Sequence, residues 1–78
     1  PNPFNKETTV TIQAHEYIRP TLQLFDLKGS LLKENVYELR SNKNHFIRLS
    51  LDIYPTGLYF VRVVSRSHVS TKKIQLLK

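Results

Sequence analysis

The stretch that most constrains this 78-residue chain runs Ile53-Tyr54-Pro55-Thr56-Gly57-Leu58-Tyr59-Phe60-Val61-Arg62-Val63. A bulky aliphatic, then Pro, then Gly, then a Tyr opening an alternating run has the spacing of a tyrosine corner. In that device the Tyr stands at a strand start. Its hydroxyl bonds back to the preceding backbone and locks a crossover between two packed sheets. Ile53 is expected to plug the core, Pro55 to fix the corner, and Gly57 to supply a tight or positive-φ backbone.

The rest of the chain alternates with a period of two rather than 3.6. Val10, Ile12 and Ala14 alternate with Thr9, Thr11 and Gln13. Pro20 to Leu27 puts Leu22 and Leu24 on one face and Phe25 and Leu27 on the other. Lys28-Gly29 then turns the chain into Ser30 to Lys33, a hairpin. Val36 to Arg40 reads as a short strand ended by the polar turn Ser41-Asn42-Lys43-Asn44. Phe46 to Leu51 places Ile47, Leu49 and Leu51 inward. Leu58 to Ser65 follows the corner, and Val69 to Leu77 closes the chain with Ile74 and Leu76 in register for burial. About seven short strands at roughly ten-residue spacing, with no helical pattern, predict an all-β, antiparallel sandwich of immunoglobulin-like or fibronectin III-like type.

The length suits one small domain, residues 1–78, which buries only about 60 % of its unfolded surface. There is no Cys, so neither a disulfide nor a thiolate metal site reinforces the apolar faces. No apolar run approaches the roughly 20 residues of a membrane helix, and no membrane span is expected. Pro1 opens on a turn-like segment rather than a secretory leader, as in a domain cut from a larger protein.

Charge divides unevenly. Residues 1–39 carry four basic against five acidic side chains, net −1, and residues 40–78 carry eight basic against Asp52 alone, net +7. A basic half favours encounter with anionic partners, or it is simply a set of solvated strand faces.

Catalytic and metal chemistry find no support in the spacing. His15, His45 and His68 lie far apart, none with a second ligand at the short spacing of a local metal site. Asp26 and Asp52 sit beside turns, where Asp caps backbone, rather than as a carboxylate pair. Both glycines are isolated, so no phosphate-cradling loop exists. No catalytic residue, cofactor or metal is expected. Nucleic-acid binding needs basic residues interleaved with exposed aromatics. Phe25 and Phe46 look core-facing or flanking, and Tyr17, Tyr37 and Tyr54 form no stripe, so no nucleic-acid partner is expected.

Three pieces together carry a family resemblance. The chain opens Pro1-Asn2-Pro3-Phe4-Asn5, holds Leu24-Phe25-Asp26-Leu27-Lys28-Gly29 in its middle, and ends with Gly57-Leu58-Tyr59-Phe60-Val61-Arg62-Val63 followed by Thr71-Lys72-Lys73-Ile74. In order and spacing this resembles the type A C-terminal sorting domain of cargo proteins of the type IX (Por) secretion system. A related module of flagellar-hook scaffolds begins and ends alike but typically carries a Trp-Asp-Gly segment, and this chain has no Trp.

The resemblance implies a non-catalytic address at the C-terminal end of a secreted or surface protein, with the cargo domain N-terminal to it. Its implied partners are the outer-membrane translocon, a shuttle β-barrel and a sortase that usually removes the domain. The implied route passes through the periplasm to the cell surface or medium. By position, Pro3, Asp26, Gly29, Gly57 and Tyr59 would be family-motif residues of mainly structural role. Lys72, Lys73, Ile74, Leu76, Leu77 and Lys78 would form the tail read by the translocon and shuttle, since an uncapped edge strand is a natural site of strand addition. An alternative from the residues is an Ig-like adhesive or carbohydrate-binding module of a surface protein.

Overall fold

A computed structural model describes residues 7–40, 43–66 and 68–78. It contains six strands: β1 (Glu7–Ala14), β2 (Thr21–Asp26), β3 (Leu31–Val36), β4 (Lys43–Ser50), β5 (Gly57–Ser65) and β6 (His68–Leu76). All pairings are antiparallel. β1 and β4 form a two-stranded sheet, and the other four form a second sheet in the order β3-β2-β5-β6. Among the described residues no element is helical.

The two sheets face one another through their alternating apolar positions. Leu22 and Leu24 of β2, Ile47 and Leu49 of β4, Leu51 directly after β4, Tyr59 and Val61 of β5 and Leu76 of β6 make one buried cluster. Val10 and Ile12 of β1 pack against it, half-buried. Register explains the sorting of faces. Leu22 lies opposite Val63, Leu24 opposite Val61, and Asp26 opposite Tyr59, so these residues share the inner face.

The chain changes sheet three times: between β1 and β2, between β3 and β4, and between β4 and β5. The first two crossovers brace each other. Ile18 and Leu39 form an isolated antiparallel bridge, with the Ile18 amide donating to the Leu39 carbonyl at 3.0 Å and the return bond at 2.9 Å. Arg19 and Glu38 flank that bridge with an exposed ion pair at 3.9 Å. Here the structure departs from the expected seven strands. Val36 is the last residue of β3, not the first of a separate strand, and residues 37–40 travel between sheets with only Leu39 bridged. A connection between layers has no neighbouring strand along its length, so it cannot form a ladder.

The β2–β3 hairpin is fixed by Asp26. Its Oδ1 accepts from the Lys28 amide at 3.0 Å and the Ser30 amide at 2.9 Å, while its carbonyl accepts from the Gly29 amide at 3.0 Å. Gly29 closes this loop at φ +88°, a conformation that costs an L side chain strain. Gly57 differs from expectation. It lies outside the left-handed region, within β5 and opposite Leu76. A Cβ there would meet Tyr59 Cε2 at 3.7 Å, an ordinary contact.

The two glycines therefore separate on substitution. Gly29→Ala should lower stability by about 1 to 2 kcal/mol through backbone strain, whereas Gly57→Ala should stay within about 0.5 kcal/mol of the parent. Urea unfolding midpoints of the two variants check this, and equal losses would show that the hairpin loop tolerates a side chain.

Candidate functional site: the clasped corner and the final strand

The β4–β5 crossover is the corner anticipated at Pro55. The Tyr59 hydroxyl donates to the Pro55 carbonyl at 2.5 Å, and the Tyr59 ring is buried in the core. Tyr54 stands beside it, ring centroids 6.0 Å apart and tilted by 49°. The plug of the corner is not Ile53, which is 84 % exposed. The Tyr54 amide donates to the Leu51 carbonyl at 3.1 Å, and that tight turn throws Ile53 outward. Leu51 and Tyr54 take the inward positions instead.

The final strand is an edge. Among the described residues β6 pairs only with β5, from Ser65–His68 to Gly57–Leu76. Its alternation sends Lys72, opposite Val61, to the inner face, and Lys73, opposite Phe60, to the outer face. Neighbouring in sequence, the two lysines address different surfaces. Ile74 is half-buried opposite Tyr59, and Leu77 and Lys78 are exposed.

Leu76 falls inward as its register predicts, and the expectation of an uncapped tail is corrected by how the residues beyond it are held. Leu76 is fully buried, at 0 % exposure, in the central cluster. Lys78 is also held. Its amide donates to Thr56 Oγ1 at 3.1 Å, and its Nζ donates to the Asp52 carbonyl. The reason is geometric. Pairing Gly57 with Leu76 carries the chain end back across the corner, where the carbonyl of Asp52 and the hydroxyl of Thr56 face it. Tail and corner form one unit.

The outer face of the larger sheet holds a polar ladder that sequence patterning did not reveal. Arg62 of β5 donates through Nε to Gln23 Oε1 at 2.9 Å, and Gln23 Nε2 donates to Glu34 Oε2 at 2.6 Å. The Arg62 guanidinium carbon also lies 4.9 Å from the centroid of the Phe25 ring, a cation–π distance. The signal available in the sequence was only alternation, which places Gln23, Phe25 and Arg62 outward without saying that they meet. Phe46, expected to face or flank the core, stands on the outer face of β4 at 69 % exposure.

The remaining titratable side chains are dispersed. Among the described residues, no group of three or more His, Asp or Glu is placed to hold a metal ion. His45 donates through Nε2 to the Arg40 carbonyl at 2.8 Å, and Asp26 is committed to its hairpin. Pro3 and the rest of the opening motif lie outside the described residues.

Fold and site together define a class: an immunoglobulin-like β-sandwich whose distinguishing features are a clasped corner and an edge strand, β6, held against that corner. The family follows from comparison. A family model described as the secretion system C-terminal sorting domain matches residues 1–76, and the chain belongs to that family. It is thus a sorting signal of type IX secretion, from a non-catalytic family whose cargo is a secreted or cell-surface protein. No curated protein and no solved structure matches the chain significantly. Among the described residues no helix is long and apolar enough to cross a membrane.

Two substitutions test the unit formed by corner and tail. Tyr59→Phe should cost about 1 to 3 kcal/mol if the Pro55 carbonyl is left unpaired. Leu76→Ala should cost about 2 to 5 kcal/mol as a cavity in the core. Thermal and urea unfolding of both variants provide the measurement, and a parental midpoint for Tyr59→Phe would deny the clasp its role.

Proposed function

We propose that residues 1–78 act as one sorting domain at the C-terminal end of a larger protein, read as a folded unit in the periplasm. The outer-membrane translocon and a shuttle β-barrel recognise it, and a surface sortase then removes it. Family membership supports the address itself. The observation that carries the choice of surface is the edge position of β6, whose far side, unpaired among the described residues, lies next to exposed Lys73, Leu77 and Lys78.

Sheet edges recruit partners by strand addition, with main-chain hydrogen bonds for affinity and side chains for selection. Lys72, Lys73, Ile74, Leu77 and Lys78 would meet the receptor along this edge. Leu76 takes another role, holding the tail against the corner from inside the core. Extracting its side chain into water would forfeit roughly 2 kcal/mol or more of burial. Recognition of the docked strand avoids that loss. Pro3, Asp26, Gly29, Gly57 and Tyr59 serve the address indirectly by shaping the domain that presents the edge.

The experiment fuses residues 1–78 to a periplasmic reporter in a bacterium that carries the type IX system. The intact fusion should reach the surface or medium. Lys73→Glu with Lys78→Glu should reduce export by about tenfold, the effect of weakening recognition by 1.4 kcal/mol. A melting curve on the purified variant separates lost recognition from lost folding. Retention of the intact fusion in the periplasm would sink the sorting reading, and normal export of the folded double variant would sink the edge as its readable surface.

A further inference from the structure

The sandwich is open along one side. Among the described residues, β1 pairs only with β4, and β6 only with β5, so the far edges of both strands, unpaired by those residues, border the same space. A groove of about 450 Å³ lies there. Five consecutive residues of β1, from Thr9 to Gln13, line it, whereas β6 contributes alternate ones, His68, Ser70 and Lys72. Consecutive residues mean that β1 presents its edge, backbone included. Alternate residues mean that β6 presents its inner face. Between them Val10, Ile12, Val61 and Val63 supply an apolar floor.

The groove has a definite charge. Lys72 stands on its wall, and none of the lining residues carries a carboxylate. Lys72 is an inward-pointing cation on an edge strand, a device that discourages indiscriminate edge pairing. A second copy of this chain offering its own β6 would bring Lys72 or Lys73 toward a wall already positive. The surface instead complements a strand that brings a negative group.

We propose that this groove is a strand acceptor for an extended segment of another polypeptide, one that alternates aliphatic residues and carries a carboxylate to meet Lys72. The incoming backbone would satisfy the free edge of β1. Its aliphatic side chains would cover the valine and isoleucine floor, and its Asp or Glu would pair with the lysine. The site lies on the opposite side of β6 from Lys73. It goes beyond the sorting assignment and does not depend on it, because binding at the groove is measurable without any export machinery.

The test titrates the isotopically labelled 78-residue chain with two short capped peptides of alternating Val and Thr, one with a central Glu and one with a central Lys. The Glu peptide should shift the backbone NMR signals of Thr9 to Gln13 and of His68 to Lys72, and bind about tenfold tighter than the Lys peptide. Lys72→Glu should invert that order, and Lys72→Gln should abolish it, both at an unchanged melting temperature. Equal affinities, an order indifferent to residue 72, or shifts confined to the outer face would overturn the proposal. So would free-chain hydrogen exchange at the β1 edge as slow as in central β5, which would mean that the chain's own opening residues or a second copy already fill the groove. Because the titration is read on the isolated chain, its failure would leave the sorting assignment standing, and retention of the intact fusion in the periplasm would leave the groove proposal standing.

Discussion

The hydrogen bond from the Tyr59 hydroxyl to the Pro55 carbonyl governs more than its own turn. It fixes the path by which the chain leaves the smaller sheet and enters the larger one. That path sets the register of β5, and β5 is the only strand that touches both β2 and β6. It also shapes the surface on which the chain ends, because Asp52 and Thr56, which receive Lys78, belong to the same crossover. In a small domain without disulfides, a buried side chain that settles one crossover settles much of the topology.

The three crossovers are braced in two ways, two by backbone and the third by a side chain, and the difference follows from how the connections run. The β1–β2 and β3–β4 connections run alongside each other, so ordinary backbone bonds between Ile18 and Leu39 suffice. The β4–β5 connection has no such companion until the chain end arrives. Its carbonyl at Pro55 must find a donor locally, and an aromatic residue four positions on supplies one that also fills the core.

Much of this fold was legible in the residues. Period-two alternation located the strands, and Leu22, Leu24, Ile47 and Leu49 fall inward as their spacing predicts. Alternation failed where pairing, not patterning, decides. Val36 belongs to β3 because Thr21 lies opposite it, which no local signal reveals. Ile53 is bulky and apolar, yet the turn through Leu51 and Tyr54 excludes it. The tail was legible as an apolar edge but not as a docked one, because its anchors at Asp52 and Thr56 lie 26 and 22 residues away in sequence. The Arg62–Gln23–Glu34 ladder likewise joins three strands whose order a single sequence leaves open.

The final strand must stay paired with β5 without inviting the self-association that an exposed apolar edge brings. β6 does so by dividing its residues. Leu76 is committed to the core and keeps the strand in place, while the six residues from His68 to Lys73, both lysines among them, are exposed. Because Lys72 and Lys73 point to opposite faces, a positive charge guards each side of the strand. A basic strand approaching from either side meets repulsion, and an acidic one meets attraction. The strand thereby stays paired on one side and electrostatically selective on the other, with the sandwich left intact.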